Sequence, residues 1–378
     1  MVKPSVIDLF SGCGGFGLGA ELAGFHSKVA VDIEPNLQSA YKLNFPGTNA
    51  VLSDLSIMNK ESWRFLLGGQ NVDGIIGGPP CQGFSRIGKN DKRDPRRTLV
   101  SHFFRTVNII CPKFFVMENV EGLLDKGNLL GLQDAIDSLD NVYRVLAPIV
   151  VDASVYGAPT KRKRVLIIGF NSEKMDQIVP EDIAPMNKSK VNVKQAISDV
   201  SNTVEVKKGK DEFGWTKYAV GRVSNYAKEM RQLPPKGLGS PFAIEKLKKK
   251  LVSGAFETIH SEVVLSRFSN TLQGKIDSVS RYPRLDWQGL CPTLRAGTGS
   301  DRGSFQAMRP IHPCESRVIT VREAARLQGF PDWFLFHTTK HHSFRMIGNS
   351  VSPILSQVIL GGIKRKLESV NGARKAVS

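Results

Sequence analysis

Over roughly the first 170 residues the apolar positions fall into short runs, each closed by a turn signal. Ser5-Val-Ile-Asp-Leu-Phe10 reads as a strand that enters a glycine-rich turn, followed by a helical stretch to about Ala23. Val29–Val31 and Gly74–Ile76 read as further strands. Leu99, Phe103, Val107 and Ile110 recur at helical spacing until Pro112 stops the helix. Phe114–Met117 and Val165–Gly169 are again β-branched or aromatic runs. Strands separated by helices predict parallel pairing and an α/β, doubly wound sheet.

From about residue 172 the alternation fades, and Pro, Gly and Lys rise. Regularity returns at Thr320-Val-Arg-Glu323, a capping-box start for a helix that stops at Gly329 and Pro331. A last helix is predicted from Pro353 to the basic run Lys364-Arg365-Lys366. Three parts follow: a first domain over 1–171, a smaller irregular domain over 172–335 that includes the Arg322-Glu323 helix, and a segment over 336–378 that returns to the first domain.

Composition narrows the class. With 41% hydrophobic and 23% charged residues, the 378-residue chain reads as globular and not disordered. Its longest apolar runs, such as Ile354–Ile363, fall short of the roughly 18 residues of a bilayer span. No secretory core is apparent at the start, and five unpaired-looking cysteines predict neither disulfides nor a metal site. The expectation is a cytoplasmic, bacterial, DNA-associated protein without membrane partners. The formal net charge of +17 attracts polyanions, nucleic acid above all. That excess recurs in separate patches: six basic against two acidic residues over 86–97, four basic residues at Lys161–Arg164, and twelve against five over 201–250.

Four motifs carry candidate chemistry. Gly12-Cys-Gly14-Gly-Phe-Gly17 sits between a strand and a helix, with Asp32 twenty residues after Gly12 at the end of the next strand. Glycines admit a ligand close to the backbone and the acid suits ribose hydroxyls, so a nucleoside-bearing cofactor is expected. A dinucleotide and S-adenosylmethionine remain open on that motif alone. Gly77-Gly-Pro-Pro-Cys81-Gln-Gly-Phe-Ser85 follows another strand and precedes a basic loop, a setting for a nucleophilic thiol and not for a core cysteine. Glu118-Asn119-Val120, directly after Phe114–Met117, would lie on the same carboxyl-end rim, able to hydrogen-bond and protonate a heterocycle. Arg162 and Arg164 alternate, so both should face one side of a strand.

With these motifs the chain resembles the cytosine-C5 DNA methyltransferases. The resemblance runs in order through Asp8-Leu-Phe-Ser-Gly-Cys-Gly-Gly-Phe-Gly, the Asp32 region, Asp54-Leu55, Pro79-Pro-Cys-Gln-Gly-Phe-Ser, Asp94-Pro-Arg with Leu99, and Glu118-Asn-Val. It continues through Tyr156-Gly-Ala-Pro-Thr-Lys-Arg-Lys-Arg, Arg322-Glu-Ala-Ala-Arg-Leu-Gln-Gly-Phe-Pro, and Gly348-Asn-Ser-Val. It implies a methyl transfer from S-adenosylmethionine to C5 of a flipped-out cytosine, with Cys81 as nucleophile at C6 and Glu118 protonating the ring. Asn119 would position the Cys81 loop and Glu118; Arg164 would hold the base carbonyl and Arg162 support the Glu118 carboxylate. The implied cofactor pocket comprises Phe10, Gly12, Gly14, Asp32, Ile33, Asp54, Leu55, Pro80, Leu99, Asn349 and Ser350. Implied DNA contacts are Gln82, Ser85, Arg86 and Arg97 in a closing loop over 82–97, and Thr293, Leu294, Arg295 and Arg302 in a recognition region over about 172–318. Ser300, Asp301 and Gln306 are further base-reading candidates.

The chain departs from the family pattern at Thr160, Asp32 and Met346, where Gln, Glu and Gln are more usual. A dehydrogenase would not need the Pro-Pro-Cys loop. An amino-methylating DNA enzyme would place an aromatic residue after Pro-Pro, and the two-cysteine RNA enzymes need a second thiol. The tRNA-acting branch of the same family is the alternative substrate class. The expected partners are double-stranded DNA, on which the chain acts as a monomer, and a restriction endonuclease working in parallel.

Overall fold

A computed structural model describes residues 3–80, 98–185, 189–204, 213–296 and 307–376, with side chains to 369. The first part alternates β1 (Ser5–Leu9), α1 (Gly15–Leu22), β2 (His26–Asp32), α2 (Pro35–Asn44), β3 (Asn49–Leu52), α3 (Lys60–Leu67) and β4 (Gly74–Gly77). It continues with α4 (Thr98–Ile110), β5 (Phe114–Asn119), α5 (Lys126–Asp137), β6 (Tyr143–Val145), β7 (Ile149–Asp152), β8 (Thr160–Lys161) and β9 (Lys163–Asn171). Eight of these strands form one sheet in the order β3-β2-β1-β4-β5-β9-β6, with β7 also on β9. The strands from β3 to β5 pair in parallel, and helices cover both faces. Phe103, Phe104, Phe115 and Trp63 fill one side; Phe25, Phe114 and Leu360 fill the other.

Two expectations are corrected here. The pairing is not parallel throughout: β9 runs antiparallel to β5, β6 and β7. The reason is the connection, because the ten residues between Asp152 and Lys163 leave no room for the helical crossover that a parallel pair requires. That antiparallel partner also draws Glu118 and Asn119 into β5, opposite Leu166 and Val165, instead of leaving them in a loop beyond it.

The later elements are short: α6 (Val193–Ile197), β10 (Thr216–Lys217), α7 (Asn225–Met230), α8 (Pro241–Lys248), β11 (Leu251–Val252) and α9 (Glu262–Asn270). Then come β12 (Cys291–Pro292), β13 (Arg295–Ala296), β14 (Ala307–Met308), α10 (Val321–Gln328), α11 (Lys340–Asn349) and α12 (Pro353–Ala376). Helix α10 has the expected capping box, Thr320 accepting from the Glu323 amide and Glu323 from that of Thr320, and it ends on Gly329 at φ 95°. Charge holds this region together. Arg326 donates to Asp332 at 2.6 and 2.7 Å and to Asp199 at 3.2 Å, and Arg317 donates to Glu323 at 2.9 Å, all in the interior. One apolar cluster takes in Leu18, Tyr41 and Phe45 as well as Val193, Leu238, Phe330 and Phe334, so the irregular part shares a core with the flank of the sheet.

Helix α12 packs along α1, which returns the C-terminal segment to the first domain. It runs past the basic residues Lys364–Lys366, where the sequence placed its end, to Ala376; Lys364 instead pairs with Glu368 one turn on, at 2.8 Å. Taken together, Lys340–Ser369 is apolar and long enough to cross a bilayer, contrary to the expectation from the runs alone. Residues 350–352 interrupt it, and 67% of its most apolar window is buried against the rest of the protein, as suits a core helix.

Candidate active site

The carboxyl ends of β1, β2, β4 and β5 open on one rim of the sheet, where α/β folds place their ligands. At the end of β1, Phe10 has φ 53° and Gly12 φ 55°, and Gly14 follows at φ 97°. A left-handed backbone at Phe10 is costly for a side-chain-bearing residue and marks a turn held by its surroundings. A methyl on Gly12 would meet nothing within 4 Å, so this turn borders open space; on Gly14 it would strike the Phe45 ring at 2.5 Å. The Gly12 amide donates to Asp32 Oδ2 at 2.7 Å and the Glu34 amide to Oδ1 at 2.8 Å. Asp32 thus closes the turn from β2 and keeps lone pairs on both oxygens. Burial raises its pKa despite those two donors.

Ser350 reaches the same turn from the far end of the chain, its Oγ 3.0 Å from Cys13 Sγ. Asn349 beside it is exposed, as are Ile33 and Pro80, whereas Leu55 is buried and Leu99 half-buried. Asp54 accepts the Ser56 amide at 2.8 Å, which holds its carboxyl below the ordinary range. The described cofactor candidates therefore come from six separate segments of the chain.

The second cluster is built on β5. Glu118 and Asn119 are buried at its end. Arg164 Nε lies 2.7 Å from Glu118 Oε1, and Asn119 Nδ2 donates to Pro79 O at 3.2 Å. A methyl on Gly78 would come within 3.3 Å of Glu118 Oε2. The Gly78-Pro79 entry to the cysteine loop is thereby fixed beside the carboxylate. Cys81 itself, Gln82, Ser85, Arg86 and Arg97, and the base-reading candidates Ser300, Asp301, Arg302 and Gln306, lie outside the described residues.

One of the parts expected of the two arginines changes hands among the described contacts. It is Arg164, not Arg162, that supports Glu118. Arg162 is buried and donates from its two terminal nitrogens to Leu294 O at 3.2 Å and Gly348 O at 3.0 Å. The register explains it: Val165 sits opposite Asn119, so Arg164 emerges next to the β5 terminus while Arg162 has already left the sheet. Thr293 and Leu294 sit against the same stretch, Thr293 Oγ1 donating to Lys161 O at 2.6 Å. Arg295 is half-buried, on β13.

The departures from the family pattern have local roles. Thr160 donates to Cys291 O at 3.1 Å across the parallel β8–β12 pair. Met346 packs its side chain into the shared apolar cluster, and its carbonyl accepts Ser350 Oγ at 2.8 Å.

Sequence reasoning passed over Asp8 as a titrating group. It is buried on β1 against Tyr41 and Gly17, and burial pushes its carboxyl up to about 8. A carboxyl held neutral in the fold is fully stabilising only below its ordinary value; the native state loses ground as pH rises from about 4 to about 8 and no further above that. The thermal midpoint of Asp8→Asn relative to the parent should therefore climb across that window. A difference that stays level with pH would show the carboxyl to be ionised in the fold.

The sequence profile described as C-5 cytosine-specific DNA methylase matches residues 5–365. The type II methyltransferase M.XorII of Xanthomonas oryzae is 39% identical over 373 residues, covering 97% of this chain and 86% of the relative. M.DdeI of Desulfomicrobium norvegicum is 32% identical, covering 97% and 90%. Among solved structures, a putative DNA modification methyltransferase encoded within an E. coli prophage has 41% identity and TM-score 0.87, covering 97% of this chain and all of that one. The Dnmt2 methyltransferase of S. pombe, at 16% identity and TM-score 0.60, shares the fold.

Proposed function

This chain belongs to the C-5 cytosine-specific DNA methylase family, as a DNA cytosine-C5 methyltransferase of the type II restriction-modification kind, and from that premise we propose how its residues act. The target cytosine is flipped out of double-stranded DNA, at a cost of a few kcal/mol, and Cys81 adds to its C6. The observation that carries this reading is the Glu118–Arg164 pair, 2.7 Å apart, beside the Pro79 carbonyl that Asn119 anchors two residues before Cys81.

C5 of cytosine is a poor nucleophile. Attack by the Cys81 thiolate at C6, with Glu118 delivering a proton to the ring nitrogen, converts C5 into an enamine carbon. Arg164 holds Glu118 and stands within reach of the base carbonyl. Once C5 carries the transferred methyl group, loss of its proton expels the Cys81 thiolate, and the ring nitrogen gives back its proton. The open turn at Gly12 and the free lone pairs of Asp32 fit S-adenosylmethionine, which when bound supplies an electrophilic sulfonium methyl. Asp32 would accept from the ribose hydroxyls, Gly12 and Gly14 border the methionine part, and Phe10, Ile33, Asp54, Leu55, Pro80, Leu99, Asn349 and Ser350 complete the pocket. Residues 82–97 close over the DNA, and the stretch after Thr293-Leu294 reads bases. The chain acts as a monomer in the cytoplasm, alongside a restriction endonuclease, with residues 1–171 and 336–378 serving chemistry and 172–335 recognition.

A duplex carrying 5-fluorocytosine tests the mechanism, because fluorine at C5 blocks the final elimination. With cofactor present, the intact protein should give a denaturation-resistant adduct and Cys81→Ala none. An adduct that persists in Cys81→Ala would remove Cys81 from the mechanism.

A further inference from the structure

The turn between β3 and α3 holds three carbonyl groups that converge on one cation. Arg105, on α4, donates from Nη2 to Leu55 O at 2.7 Å and to Ser56 O and Met58 O at 3.1 Å each. Carbonyl oxygens gathered this closely repel one another, and a positively charged donor at their meeting point offsets that repulsion. The described backbone bonds of the turn are internal, such as Ser56 N to Asp54 Oδ1 and Ile57 N to Asp54 O, or fix only its start, as Ser53 N to Asp32 O does. Arg105 therefore ties the turn to a neighbouring helix. That helix is firmly seated: Phe103 and Phe104 pack on Phe115 of β5, with ring centroids 6.1 and 5.6 Å away. His102, one turn before Arg105, marks the same neighbourhood. Burial and then Arg105 lower its pKa, while Asp54 raises it.

We propose that Arg105 is a positioning residue for the purine end of the cofactor: by gathering the Leu55, Ser56 and Met58 carbonyls it fixes the turn that aims Asp54 at an exocyclic amine. This rests on the reading that Asp54 and Leu55 edge the adenine. The turn starts on the cofactor rim, since Leu52 lies opposite Asp32 in the β2–β3 pair. A carboxylate accepts from the 6-amino group of adenine, whereas the 6-oxo group of hypoxanthine is itself an acceptor and opposes it. Choice between the two purines thus depends on where the turn places the carboxylate, and a hydrogen bond tolerates only small displacement. A loosened turn loses its bond to adenine and lets the carboxylate withdraw from hypoxanthine, so the preference narrows from both ends. A residue that merely held the fold would weaken both ligands by one common factor.

The test uses the full chain and two probes, S-adenosylhomocysteine and S-inosylhomocysteine, each titrated by calorimetry. Arg105→Met removes the donors and keeps most of the length; Arg105→Lys keeps the charge as a point donor of shorter reach. Asp54→Ala removes the carboxylate itself. The parent should prefer the adenine probe, and Asp54→Ala should lose most of that preference. In Arg105→Met the ratio of the two dissociation constants should narrow about tenfold, the share of one hydrogen bond to a charged group, and in Arg105→Lys by less. A ratio that keeps its parent value in Arg105→Met, whether or not both affinities fall, overturns the proposal. Should Arg105→Met fail to fold by its melting curve, Arg105→Lys decides, a narrowed ratio supporting the proposal and an unchanged one overturning it. Full preference retained in Asp54→Ala would instead remove Asp54 from the adenine site and strike at the cofactor reading. Preference lost in Asp54→Ala but kept in the Arg105 variants strikes only at Arg105.

Discussion

Glu118→Gln should slow methyl transfer by roughly a hundred- to ten-thousandfold, the span over which a positioned general acid contributes. Glutamine keeps the size and planarity of the side chain, so it still fills the end of β5 between Arg164 and the Gly78 backbone. What it cannot do is hand over a proton. Its amide also weakens the hold of Arg164, whose Nε lies 2.7 Å from Glu118 Oε1 in the parent. The cofactor turn at Gly12–Gly14 is organised by Asp32 and Ser350, neither of which bonds to Glu118. Affinity for S-adenosylhomocysteine, measured by calorimetry, should then stay within about threefold, less than 1 kcal/mol. Single-turnover rates with excess enzyme isolate the chemical step. If cofactor affinity collapses as far as the rate does, Glu118 is a structural residue of the rim and the acid role is lost.

How much of this site the sequence revealed follows from what strands encode. The glycine turn, the Pro79-Pro80 entry and Glu118-Asn119 each follow a short apolar run, and in an α/β sheet the ends of such runs gather on one rim whatever the remaining details. That made the clustering legible before any geometry. The direction of β9 was not, because apolar alternation is the same read either way; only the short connection from β7 decides it. The arginines show the same limit. Alternation placed Arg162 and Arg164 side by side, but which one meets Glu118 depends on the β5–β9 register and on carbonyls at Leu294 and Gly348, far along the chain. The irregular middle resisted reading because its short elements are fastened by buried ion pairs, which leave no periodic trace.

Those ion pairs supply the largest expected loss of stability. Asp332 sits in the interior with Arg326 donating to both of its oxygens and Tyr218 OH donating at 2.7 Å, while Arg322 stands 3.8 Å away as a second cation. Burial alone would raise its pKa, but Arg326 outweighs that, with help from Arg322 and Tyr218, and the carboxyl titrates below its ordinary value. Asp332→Ala would leave two fully buried guanidinium groups facing a cavity, one of them still tied to Asp199. Breaking such a network by deleting one partner costs about 3–5 kcal/mol, far more than the pair would contribute against an apolar replacement of both sides. The consequence is positional too, since Arg322 and Arg326 lie on α10, whose Gln328 donates to Ser350 O at 2.8 Å beside the glycine turn. A melting series should show the midpoint of Asp332→Ala several degrees below the parent at neutral pH. A carboxyl with a depressed pKa stabilises the fold above its ordinary value and loses that contribution as pH falls through the depressed one. The deficit of Asp332→Ala should accordingly shrink in strong acid, where the parent protonates as well. A deficit that persists undiminished there would assign the loss to packing and not to charge.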